Sequence, residues 1–172
     1  MSSYVTDTTS ANLNEALLAP PLAEGKYVVS SLAPGINSPC LDIPSQHASD
    51  PEGEIQHMFC NGTAFQILEF KLDPTRENRY TINASLLGEK FLDITDNDAR
   101  DGRLVKFARH RDSAFQRWKL KPLAGSNKDF KIQNDGSGLF MDLRGQEPEA
   151  GGHIQQRPEN TSPNQNWRIT PA

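Results

Sequence analysis

Apolar positions along this chain come in short alternating runs rather than in helical stripes. Tyr27-Val28-Val29, Tyr80-Thr81-Ile82 and Phe130-Lys131-Ile132 each open on an aromatic residue, and the runs are separated by Gly, Pro, Asn, Asp and Ser. That punctuation reads as short strands joined by turns. The runs also recur. Leu68-Glu69-Phe70-Lys71-Leu72-Asp73-Pro74, Gln116-Arg117-Trp118-Lys119-Leu120-Lys121-Pro122 and Gln165-Asn166-Trp167-Arg168-Ile169-Thr170-Pro171 lie over one another at a spacing of roughly fifty residues.

Two more landmarks keep the same order and period. An apolar-apolar-Asp-apolar signature appears as Cys40-Leu41-Asp42-Ile43, Phe91-Leu92-Asp93-Ile94 and Phe140-Met141-Asp142-Leu143. A Gly two residues before an aliphatic follows, as Gly53-Glu54-Ile55, Gly102-Arg103-Leu104 and Gly152-His153-Ile154. Each unit then holds about four strands and cannot bury its own apolar face, whereas three units can close on one shared core. The expectation is an all-β fold, a β-trefoil with pseudo-threefold symmetry and repeats at about 24–75, 76–123 and 124–172. Residues 1–23 form an extension outside the repeats, a mobile tail or else a segment packed on the trefoil surface or on a partner subunit, in which Ser10 to Leu18 could make two helical turns before Pro20-Pro21 ends them.

Leu-Asp-Ile, Gly-x-Ile-Gln and a terminal Gln-x-Trp in this order resemble the ricin B-type lectin family, over roughly residues 24 to 172 and best in the third repeat. The resemblance implies carbohydrate binding at up to three shallow pockets. A sugar offers hydroxyls and an apolar C–H face, so a pocket needs a carboxylate, amides that donate and accept, and a ring to cover the C–H groups. In the family these are the aspartate, the Gln after the aliphatic, an aromatic two residues further and an Asn before Gln-x-Trp. The Gln of Gln-x-Trp is expected to hold the aspartate, and its Trp to belong to the core.

Carried over, these roles give unequal sites. The third repeat has Asp142, Gln155, Asn164 and Gln165, with Arg157 where the ring should be. An arginine can lie flat and donate to hydroxyls but covers C–H surface less well, which weakens the site or alters its specificity. The second has Asp93, Phe107 and Gln116, with Val105 and Phe115 in place of the two amides. The first has Asp42 and Gln56, with Met58 in the ring position and Leu68 and Phe70 for Gln-x-Trp. The expected order is third, second, first; Asp42 reads better as a turn-fixing residue than as a ligand. The family also often places a disulfide where Cys40 and Cys60 stand. Such a bridge would close a loop of about twenty residues and contribute on the order of 3 kcal/mol, and a reducing cytosol would oppose it.

Composition narrows the alternatives. With 172 residues the chain is one domain, and its net charge of −4 speaks against a nucleic-acid surface. The cluster Arg109-His110-Arg111 reads as a solvated turn. No apolar run is long enough to cross a bilayer, and the N-terminus lacks the pattern of a secretory signal, so the expected location is cytoplasmic. His47, His57, His110 and His153 are scattered without metal-ligand spacing, no phosphate loop or nucleophile elbow occurs, and Glu147 and Glu149 stand in a Gly- and Pro-rich turn. The expectation is therefore a non-catalytic binder without cofactor or metal. Its partners are galactose or N-acetylgalactosamine-type glycans, with a homodimer as one route to avidity. The alternative is a protease inhibitor or protein-interaction scaffold on the same fold with decayed sugar sites.

Overall fold

The computed structural model describes residues 19–37, 39–84, 87–145 and 150–172. The helical turns expected at Ser10 to Leu18 and the Glu147/Glu149 pair lie outside them. Thirteen strands are found among the described residues: β1 (Gly25–Ser31), β2 (Pro39–Asp42), β3 (Glu52–Glu54), β4 (Gln56–Phe59), β5 (Leu68–Leu72), β6 (Tyr80–Asn83), β7 (Lys90–Asp93), β8 (Lys106–Arg109), β9 (Trp118–Pro122), β10 (Asp129–Asn134), β11 (Phe140–Leu143), β12 (Ile154–Arg157) and β13 (Trp167–Pro171). The fold is all-β.

Six strands close into a barrel through the antiparallel pairs β1–β5, β5–β6, β6–β9, β9–β10, β10–β13 and β13–β1. Every barrel strand alternates inward and outward residues, as the pleat requires. The inward residues come in corresponding sets. Tyr27, Tyr80 and Phe130 open the first strand of each repeat, Val29, Ile82 and Ile132 follow, and Leu68, Trp118 and Trp167 begin the last strand, all buried. Closure leaves the barrel without an exposed edge.

The hairpins β2–β4, β7–β8 and β11–β12 cap one end. They interlock in a ring. The central residue of each hairpin's second strand, His57, Phe107 or Gln156, is buried and lies against a glycine-bearing segment of another repeat. His57 exchanges backbone hydrogen bonds with Gly151 and Gly152, Gln156 does so with Gly102 and Arg103, and Phe107 pairs with Gly53. The glycines are required sterically: a Cβ at Gly152 would fall 2.1 Å from His57 Nε2, and one at Gly53 would fall 2.6 Å from Phe107 Cζ.

Of the two readings of the extension, its described residues, 19–23, follow the packed one. Tyr80 Oη donates to the Leu22 carbonyl at 2.6 Å and accepts from the Leu22 N–H at 3.0 Å, and Tyr27 Oη donates to the Ala23 carbonyl at 2.9 Å. Leu22 packs on the core. Burial pushes the Tyr80 hydroxyl above its ordinary range. Tyr80→Phe should cost about 1 kcal/mol in a urea titration, because both Leu22 groups lose their partner. An unchanged midpoint would mean that the segment contributes nothing to stability.

Cys40 and Cys60 form a disulfide, with a Cα–Cα distance of 5.1 Å. It ties β2 to the segment after β4.

Candidate functional site

Cross-strand register decides which side chains meet. In β11–β12, Asp142 stands opposite Gln155 and Phe140 opposite Arg157; in β2–β4, Asp42 stands opposite Gln56. These pairs share the outer face of their hairpins, while Met141 with Gln156 and Leu41 with His57 turn to the core. In β7–β8 the residue opposite Asp93 is Lys106. The second repeat carries one extra residue between its Gly and this position, so Val105, not Leu104, is the buried counterpart of Ile55 and Ile154.

That register corrects two expectations. Val105 does not replace a ligand-binding Gln; Lys106 occupies that place. Phe107 is no stacking platform, because it points inward, is 0% exposed and lies against Gly53. The outward position that corresponds to Arg157 and Met58 is Ala108.

The first repeat is shifted by two residues from the sequence reading. A short 3₁₀ turn precedes the last strand of each repeat, at Ala64–Gln66, Ala114–Gln116 and Pro163–Gln165. The counterparts of Gln-x-Trp are therefore Gln66 and Leu68, not Leu68 and Phe70, and Phe65 stands where Asn164 stands in the third repeat. All three glutamines are buried and close the same loop. Each Oε1 accepts a backbone N–H from five residues upstream, from Asn61 at 2.9 Å, Arg111 at 2.7 Å and Asn160 at 3.0 Å. Each Nε2 donates to a carbonyl seven residues upstream, of Phe59, Arg109 and Pro158. Gln116 and Gln165 are thus loop-closing residues, without the exposure a sugar contact needs. Only Gln116 also donates to its aspartate, Asp93 Oδ2, at 2.9 Å.

The three aspartates differ in what grips them. Gln155 Nε2 donates to Asp142 Oδ1 at 3.0 Å, and Gln56 Nε2 donates to Asp42 Oδ2 at 2.7 Å. Asp93 is held by Arg111: Nη2 lies 2.8 Å from Oδ1 and 2.6 Å from Oδ2, and Nε lies 3.1 Å from Oδ2. With Gln116 added, both oxygens of a fully buried carboxylate are engaged. Asp142 and Asp42 are 4% and 8% exposed, against 0% for Asp93. Arg111 therefore departs from the expected solvated turn at Arg109-His110-Arg111. One signal was present: five residues before the loop-closing Gln, the other repeats carry Asn61 and Asn160, and only this one carries a cation.

In the third repeat the 3₁₀ turn brings Asn164 to the end of β11. Asn164 Nδ2 donates to the carbonyls of Gly145 at 3.2 Å and Leu143 at 3.4 Å, and the residue also borders an open groove of about 480 Å³ shared with Ala33 to Ile36. Arg157 is half-exposed, with Nε 3.2 Å from Asp101 Oδ1. Asp101 is positioned by Gln156, whose Nε2 donates to the carbonyls of Asp98 and Arg100, each at 2.9 Å. The Arg100 guanidinium beside Asp98 holds that carboxyl well below the usual carboxylate range, which further fixes the loop. A groove of about 430 Å³ lies beside the second hairpin, bordered by Thr95, Asp96, Ala108, Arg109 and Arg111, with Glu52 from the first repeat across it. Among the described residues no group of His, Cys, Asp and Glu could hold a metal ion.

Comparison with known proteins agrees with this architecture. A family model described as the ricin-type β-trefoil lectin domain-like family matches residues 114–172. No curated protein matches the chain by sequence. Among solved structures, the designed threefold-symmetric protein ThreeFoil is 22% identical with a TM-score of 0.75, covering 86% of this chain and 99% of its own. An exo-β-1,3-galactanase from Clostridium thermocellum is 20% identical with a TM-score of 0.75, covering 90% of this chain, which corresponds to only 31% of the enzyme. The Macrolepiota procera ricin B-like lectin, solved in complex with lactose, is 15% identical with a TM-score of 0.71, covering 88% of this chain and 99% of its own. At these identities the structures speak for the fold alone. The chain has the β-trefoil fold over its described length, and its last third, residues 114–172, is similar in sequence to the ricin-type β-trefoil lectin domain-like family.

Proposed function

We propose that this protein is a non-catalytic, carbohydrate-binding lectin for galactose or N-acetylgalactosamine-type glycans, with its main site on the β11–β12 hairpin. The observation that carries the reading is the Asp142–Gln155 pair on an outer hairpin face, with Asn164 brought beside it. A carboxylate accepts hydroxyl protons while the neighbouring amides donate and accept. The lactose-bound Macrolepiota procera lectin shares the fold and adds a precedent for a galactoside ligand.

The first repeat keeps a like pair, Asp42 and Gln56, and is the second candidate. The second repeat falls to last place, because Arg111 and Gln116 already saturate Asp93. A single shallow site would bind at about 1 mM, or roughly 4 kcal/mol. Avidity would then come from the first repeat or from a homodimer.

The test is a glycan array with the wild-type protein beside Asp142→Ala. Wild type should bind terminal galactose or N-acetylgalactosamine glycans, and the variant should lose most of the signal while keeping its circular dichroism spectrum. A blank array from folded wild type would transfer the function to protein recognition. Normal binding by a folded Asp142→Ala would move the site to another repeat.

A further inference from the structure

On the outer face of the β11–β12 hairpin a single cation, Arg157, stands beside the Asp142–Gln155 pair. Phe140 and Arg157 are cross-strand neighbours on that face, and the Lys121 and Lys131 ammonium groups lie 5.9 Å and 6.0 Å from the Phe140 ring centroid. Glu159 lies 2.6 Å from Lys121 and 3.8 Å from Lys131, and Asp101 pairs with Arg157, so each of these cations already has an acidic partner.

Arg157 is the member that borders the proposed sugar site. It stands diagonally across the hairpin from Asp142, a relation that separates such side chains by roughly 7–8 Å, about the width of a hexose. A sugar whose hydroxyls reach Asp142 and Gln155 would therefore present its far side to the guanidinium. A guanidinium recognises planar or tetrahedral oxyanions through its fork of N–H donors, and an exposed pair such as Arg157–Asp101 is weak enough to exchange one carboxylate for another. In this structure Asp101 occupies the position a ligand's oxyanion would take.

Resting on the galactoside reading, we propose that the third-repeat site prefers galactosides bearing an acidic substituent, a carboxylate or a sulfate ester, recognised by Arg157 in competition with Asp101.

The experiment is isothermal titration of the full chain with lactose, sialyllactose and 3′-sulfolactose, the two acidic sugars separating carboxylate from sulfate. At least one acidic ligand should bind about fivefold more tightly than lactose. That ratio should fall toward one in Arg157→Gln, rise in Asp101→Asn, and shrink between about 0.05 and 0.5 M NaCl as the charge is screened. Binding of lactose with no preference for either acidic ligand would overturn this inference and leave the lectin reading standing. A preference that persists in folded Arg157→Gln would overturn the assignment to Arg157. Failure of wild type to bind any of the three sugars would count against the galactoside reading itself.

Discussion

Trp167→Ala is expected to lower the free energy of unfolding by about 3–5 kcal/mol in a urea titration. The side chain is fully buried, and its Nε1 donates to the Met141 carbonyl at 3.1 Å. Truncation opens a cavity at the barrel's closure and leaves that carbonyl without its donor, a separate cost of about 1–3 kcal/mol for an unsatisfied buried group. Trp118 repeats the arrangement through Leu92, also at 3.1 Å, whereas Leu68 fills the third place in this layer without any donor. Trp167→Phe serves as the control, since it keeps most of the apolar surface and removes the N–H. If Trp167→Ala lost less than about 1 kcal/mol, the barrel would not depend on this layer.

Arg111→Ala should be nearly as damaging, by about 3 kcal/mol, because it strips the main partner from a carboxylate that is 0% exposed. Most of that cost is the stranded charge and not the value of the pair. Asp93→Asn in the same background should therefore recover a substantial part of the loss, since an amide is far cheaper to bury than an unpaired carboxylate. Chemical denaturation of the two variants measures the difference. If the double variant were no more stable than Arg111→Ala, Asp93 would not be the reason for the arginine.

Much of the architecture was legible in the chain because barrel strands need apolar residues at every second position and turns need Gly, Pro and Asn. Tyr27, Tyr80 and Phe130 lie inward as read, and the Asp-bearing hairpins appear where their signatures stand. Register was lost at two points for one physical reason. Matching Phe70 to Trp118 and Leu104 to Ile154 pairs residues of like type, whereas the fold conserves the reach of a glutamine to a loop and of a strand to its partner. Gln66 and Val105 satisfy those constraints despite their less similar neighbours. The grip of Arg111 on Asp93 was hidden differently: the cation five residues before Gln116 stands out only once Gln66, Gln116 and Gln165 are aligned, and its partner becomes plain only when the strands bring Asp93 beside it. The disulfide was anticipated only through the family resemblance.

The pairing of β13 with β1 has a consequence for how the polypeptide can be cut. Tyr27 to Ser31 pair with Pro171 to Trp167, and the Ala172 N–H donates to the Lys26 carbonyl at 3.0 Å. This seam is the same antiparallel contact that β5 makes with β6 and β9 with β10, except that no peptide turn spans it. The repeats therefore form a ring in which covalent order is arbitrary, and a circular permutant opened at the Leu123–Asp129 turn and joined across the seam would retain every barrel contact.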